Sequence, residues 1–132
     1  MDFKKIREMS GLSRPGFYEK YKVPVRTQEN WEASGAEKRN ASDYILYAYE
    51  RMVRMDFEIP IYGVSSTHQF GWRHTVYRFS DLEEAYEWLE TETYQFAERE
   101  LMDRDQAIEL TEDEEQVDNA LEWGGVLTCV NQ

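Results

Sequence analysis

The chain has a single cysteine, Cys129, so it makes no internal disulfide and offers no thiolate cluster for a metal. Its apolar runs are only a few residues long, far short of the roughly 20 that a membrane helix needs. The start, Met1-Asp2-Phe3-Lys4-Lys5, has no apolar stretch behind its charges, and a secretory signal is not expected. There is no glycine-rich phosphate loop: Gly124-Gly125 lacks a following Lys-Ser/Thr and is expected to be a turn. The acidic run Glu112–Glu115 lacks the spacing and the central glycine of a calcium loop. Two histidines, His68 and His74, have no motif-bearing nucleophile near them in sequence. The expectation is a soluble, cytoplasmic protein that is not an enzyme, with no catalytic residues, no metal and no cofactor.

What the chain has is charge, unevenly placed. Residues 1–56 carry eleven Lys/Arg against nine Asp/Glu, whereas residues 57–132 carry four against eighteen. Such asymmetry predicts two modules with different partners. With 132 residues, 41% of them hydrophobic and 14% aromatic, the chain has the material for one ordinary domain or two small ones. The expected division is a domain at 1–56 and a second at 57–132.

In the first, Phe3, Ile6 and Met9 form the stripe of a short helix that Gly11 ends. Ser13 is a good N-cap for a second helix, with Pro15 tolerated in its first turn. Val23-Pro24 interrupts, because the residue before proline is pushed out of helical geometry. A third helix is expected from Val25 to Ala33 with Trp31 as its anchor. Ser34-Gly35 breaks it, and Ser42-Asp43 open a fourth with the stripe Ile45, Leu46, Tyr49, Met52 and Val53. Two short helices joined by about three residues, with others packed around them, give a helix-turn-helix layout.

The residues Gly11-Leu12-Ser13-Arg14, Phe17, Glu19-Lys20-Tyr21, Val23-Pro24, Arg26-Thr27, Asn30-Trp31-Glu32 and Lys38-Arg39-Asn40 resemble the phage-repressor-like (XRE/Cro-type) helix-turn-helix family over about residues 1–55. The resemblance implies that the third helix enters the major groove of double-stranded DNA. Val25, Arg26, Thr27, Gln28 and Asn30 would then face base edges or phosphates. Ser13 and Arg14 at the start of the second helix, and Lys38 and Arg39 in the later loop, would hold backbone phosphates. Gln28 stands where that family usually has a buried Ile or Leu, and Glu29 adds a carboxylate to the same helix. A module net of only two positive charges implies weak binding by a monomer, which a homodimer would strengthen.

From Phe57 the period changes to two. Phe57, Ile59, Ile61 and Val64 predict a strand, with Pro60 favouring an edge position. Trp72–Phe79 alternates again, so a hairpin is expected, turning at His68–Gly71. Ser80-Asp81-Leu82-Glu83 matches a capping box. Behind it, Leu82, Ala85, Tyr86, Leu89, Thr93, Phe96, Ala97 and Leu101 predict one helix of some 20 residues, its other side covered by Glu83, Glu84, Glu87, Glu90, Glu98 and Asp103. A short strand is expected over Ala107–Leu110. A second capping box, Thr111–Glu114, would then open a last helix to about Trp123. Cys129 in the apolar tail is expected as a small core residue.

The fold class is thus α+β: a four-helix helix-turn-helix domain followed by a small acidic ββα(β)α module. The leading functional expectation is a bacterial or phage transcriptional regulator whose acidic module serves dimerisation or partner binding. The other expectation starts from the charge itself, since like charges packed along one helix repel and invite a basic partner surface. By architecture and charge, the combination looks like some phage-encoded anti-CRISPR proteins. The acidic module would then mimic nucleic acid and block a Cas nuclease.

Overall fold

The computed structural model describes residues 1–34, 40–68, 71–91 and 97–122. The protein is α+β and divides into two compact units, Met1–Glu58 and Ile59–Gln132. The boundary lies two residues beyond the one that charge suggested.

The first unit contains α1 (Phe3–Ser10), α2 (Arg14–Tyr21), α3 (Val25–Glu32) and α4 (Asp43–Asp56). Local chemistry sets their ends. The Asp2 carboxylate accepts the Lys5 N–H at 2.9 Å, and the Ser13 hydroxyl accepts the Gly16 N–H at 3.2 Å. Gly11 closes α1 with φ +74°, a left-handed conformation that glycine adopts without steric cost. Lys22 closes α2 in the same way. Phe3 lies at the centre of an edge-to-face aromatic cluster, 5.1 Å from the Phe17 ring, 5.1 Å from Trp31 and 6.4 Å from Tyr49. Ile6, Val23 and Val53 complete the buried set. The inward face of α4 is not the expected stripe throughout. Met52 is exposed, whereas Glu50 and Arg54 are buried and paired with each other at 2.8 Å.

The second unit is a four-stranded sheet in the order β3-β1-β2-β4. Strands β1 (Ile61–His68) and β2 (Trp72–Phe79) form the antiparallel hairpin, and β3 (Ala97–Met102) pairs antiparallel on the other side of β1. The short β4 (Leu121–Glu122) lies parallel to β2. Between β2 and β3 runs α5 (Leu82–Glu90), while α6 (Arg104–Thr111) and α7 (Glu114–Asp118) follow β3.

Side-chain alternation sends each strand to two cores. On one face, Phe79 and Tyr77 pack against Trp88 of α5, at 5.5 and 5.8 Å between rings. Gly63 is required there, since a Cβ would sit 2.6 Å from the Trp88 ring and 2.9 Å from Phe79. On the other face, Tyr62, Val64, Val76 and Met102 pack with Ala107 of α6 and Val117 of α7.

Several expectations are corrected. Strand β1 is central, not an edge: Pro60 precedes the first paired residue, where no ladder N–H is needed. The long helix ends at Glu90, and 97–102 is a strand, because Arg99 and Leu101 alternate with Glu98 and Glu100 and the open side of β1 supplies partners for that ladder. Residues 107–110 are helical, since the Gln106 side chain accepts the Asp103 N–H at 3.0 Å and starts α6. Thr111 ends that helix instead of opening the next, its hydroxyl donating to the Ala107 carbonyl, and Asp113 caps α7. The α5 cap is Asp81, which accepts the Glu83 N–H at 3.0 Å. The last helix stops at Asp118; Trp123, Gly124-Gly125 and Cys129 lie outside the described residues, as do Thr93, Phe96 and the hairpin-turn residues 69–70.

Candidate functional site

Helix α3 is held from its inner side by polar contacts. The Gln28 side chain is wholly buried, and its amide nitrogen donates to the Arg14 and Val23 carbonyls, both at 2.9 Å. Those two bonds tie the middle of α3 to the first residue of α2 and to the segment that joins the helices. One turn later Glu32, with 1% of its side chain exposed, receives a two-pronged bond from Arg7 of α1 at 2.8 and 2.9 Å, and Arg14 approaches at 3.4 Å. A fork of this kind fixes orientation as well as charge. Burial pushes the Glu32 carboxyl up, but the Arg7 bond and the Arg7 and Arg14 charges outweigh it and hold it below the ordinary carboxylate range. The same bond raises the Arg7 guanidinium.

The outer side of α3 is left to solvent. Arg26 and Glu29 are exposed, and Val25, Thr27 and Asn30 are half-exposed. Among the described residues Arg26 has no hydrogen bond or ion pair. Ser13 is exposed but already serves as the α2 cap. Arg14 is half-buried and turned toward Glu32. Lys38 and Arg39 lie outside the described residues. Gln28 must be removed from the expected contact set. A fully buried amide bonded to two carbonyls reaches no base edge, and it fills the inward position that an apolar residue occupies in the resembled family. Glu32 and Arg7 were missed as a pair, since 25 residues separate them and neither periodicity nor spacing links them.

No family model, no curated protein and no solved structure matches this chain.

The six carboxylates expected on one helix face are divided by the sheet. Glu83, Glu84, Glu87 and Glu90 are exposed on α5. Glu98 is on β3 and, by strand alternation, on the face opposite α5; Arg99 beside it is the residue that packs over Trp88, at 4.8 Å. Asp103 precedes α6 as its N-cap. Any acidic surface on α5 is therefore a patch of four, not a rod of six.

On the face of Glu98 the sheet opens into a cleft of about 550 Å³, lined by Val64, Ser66, Trp72, His74, Glu98, Arg99 and Glu100, with Leu110 and Glu112 from the end of α6. The register places His74 and Glu98 on either side of Ser66. The Ser66 hydroxyl lies 2.7 Å from Nδ1 of His74, a nucleophile-and-base contact that the sequence did not reveal. Ser66 sits in a strand paired on both sides, so the neighbouring ladder N–H groups are engaged rather than aimed at a reacting oxygen. Three surrounding carboxylates would also oppose developing negative charge. The pair acts as a cross-strand polar contact that orients the imidazole.

Proposed function

We propose that the first unit is a sequence-reading module for double-stranded DNA, with α3 in the major groove, and that the protein is a transcriptional regulator. The observation that carries this reading is the division of labour on α3. Its inner side is committed to Gln28, Trp31 and Glu32, while its outer side presents Arg26 and Asn30, the donor-bearing side chains that suit guanine and adenine edges. The three-residue connection Lys22–Pro24 between α2 and α3, and the motif residues shared with the phage-repressor-like family, support the same reading. Helices held by buried polar clamps keep the donors at fixed separation, which base reading needs.

The test is titration of the whole protein against random and genomic duplex fragments at two salt concentrations. Binding that weakens steeply with salt and sharpens on particular fragments is expected. Arg26→Ala combined with Asn30→Ala is expected to abolish the preference, each lost base contact costing about 1–3 kcal/mol. Absence of binding even at low salt would overturn the proposal and leave the four helices as a scaffold.

A further inference from the structure

We infer that the cleft on the α6 side of the second unit's sheet takes the guanidinium of an arginine side chain on a partner protein. This inference is independent of DNA binding by the first unit.

The cleft combines features that each favour a planar cation. Its aromatic wall is Trp72, 57% exposed, backed on one side by His68 with ring centroids 4.7 Å apart. Toward His74 the rings are parallel within 5°, with centroids 6.4 Å apart. The exposed indole thus offers a flat ring surface on which a planar cation can stack. The Ser66 bond to Nδ1 holds the imidazole in that orientation.

Opposite the aromatic wall stand Glu98 and Glu100 of β3, both exposed, and Glu112 at the left-handed C-cap of α6. The C-terminal carbonyls of α6 add the negative end of a helix dipole. Leu110, from the same helix end, supplies an apolar wall for a side-chain stem. Arg99 borders the cleft, but its guanidinium is engaged elsewhere, over the Trp88 ring at 4.8 Å and donating to the Trp88 and Thr91 carbonyls at 2.7 and 3.1 Å. Arginine is favoured over lysine because a planar fork both stacks on an indole and pairs with carboxylates, whereas an ammonium does only the second well. The volume, about 550 Å³, is in the range of sites that bury a small ligand, and suits one arginine with its flanking backbone.

The test is NMR titration of the ¹⁵N-labelled full chain with the blocked peptide acetyl-Gly-Arg-Gly-amide and its citrulline and lysine counterparts. Citrulline keeps the planar shape and loses the charge. The arginine peptide is expected to shift the Trp72 indole N–H and the amides of Ser66, His74 and Glu98. The lysine peptide should bind several-fold more weakly, and the citrulline peptide should leave these signals unmoved. Trp72→Ala, and separately Glu98→Gln with Glu100→Gln, should each weaken binding about tenfold. All three side chains are exposed, so the fold should survive, and retained signal dispersion checks this. Glu83→Gln with Glu87→Gln on α5 removes the same charge away from the cleft and should change affinity less than about twofold. Equal binding of citrulline or lysine, shifts centred on α5, no effect of Trp72→Ala, or an equal loss in the α5 control would overturn the inference.

Discussion

Replacing Glu32 with glutamine tests the clamp that orients α3. The carboxylate is buried, accepts two short bonds from Arg7 and lies 3.4 Å from Arg14. Breaking a fully buried ion pair costs about 3–5 kcal/mol, most of it from the charge left behind. Here the remaining charges are partly relieved. Arg7 keeps 17% of its side chain exposed and Arg14 keeps 42%, and the glutamine oxygen can still accept one guanidinium N–H. The expected loss is therefore about 2 kcal/mol, roughly a thirtyfold fall in the folded-to-unfolded ratio. Hydrogen exchange on peptides covering α1–α3, at pH 7, reads this loss in the first unit alone. Glu29→Gln, on the exposed side of the same helix, should stay within about 0.5 kcal/mol of the parent. Pairing Arg7→Met with Glu32→Leu should recover most of the loss, because the buried pair is removed as a unit and only the half-exposed Arg14 charge is left behind.

The same substitution carries a pH signature. A carboxyl held below its ordinary value contributes stability that is complete above the unfolded-state pKa, about 4.3 for glutamate. That contribution disappears as pH falls through the lowered folded-state value. Urea unfolding of parent and Glu32→Gln should therefore differ most near neutrality and converge in strong acid, where both side chains are neutral. A loss below about 0.5 kcal/mol at pH 7, or a gap that persists unchanged in acid, refutes the reasoning.

Gly63→Ala should destabilise the second unit by about 1–3 kcal/mol or more, since the added Cβ meets two buried rings and neither can swing aside; thermal unfolding followed at Trp88 reads it. Gln28→Leu should leave DNA affinity within about twofold, because the side chain is internal; a large, sequence-selective loss in a binding titration would return Gln28 to the contact surface. Reversing Glu83, Glu87 and Glu90 to lysine should leave DNA binding intact or tighter by the same titration. Loss of binding would mean that α5 takes part in it.

The parts legible in the sequence were those decided within one turn. Gly11 and Ser13 announce the end of α1 and the start of α2 because caps satisfy backbone groups three residues away. The hairpin was legible because Trp72–Phe79 alternates in itself. What escaped was decided by partners far along the chain. Residues 97–101 fit a helical stripe as well as a strand, and only the unpaired side of β1, more than 30 residues earlier, settles the choice. Gln28 was expected outside because it is polar, yet two carbonyls from α2 and the following turn hold its amide nitrogen inside. The cleft was invisible for a related reason. Its residues recur at every second position on three strands, and they become neighbours only when the register Glu98–Ser66–His74 is known.

The clamp on α3 also limits how the proposed DNA complex responds to salt, which gives a last prediction. The resemblance supplies four cations for each module: Arg14, Arg26, Lys38 and Arg39. Arg14 is already engaged by Glu32, so about three remain to displace counterions. A plot of log affinity against log salt should then have a slope of about −2.7 for one bound module, and about twice that for two on adjacent half-sites. Arg26→Ala separates the roles open to that residue. If Arg26 holds a phosphate, affinity should fall equally on all sequences, and the magnitude of the slope should shrink by about 0.9 per module. If it reads a base, the preferred fragment should lose about 1–3 kcal/mol while binding to random duplex changes far less. An unchanged slope together with unchanged preference would take Arg26 out of the interface. The reading of α3 as the recognition helix would fall with it, because Arg26 is the one cation on that helix.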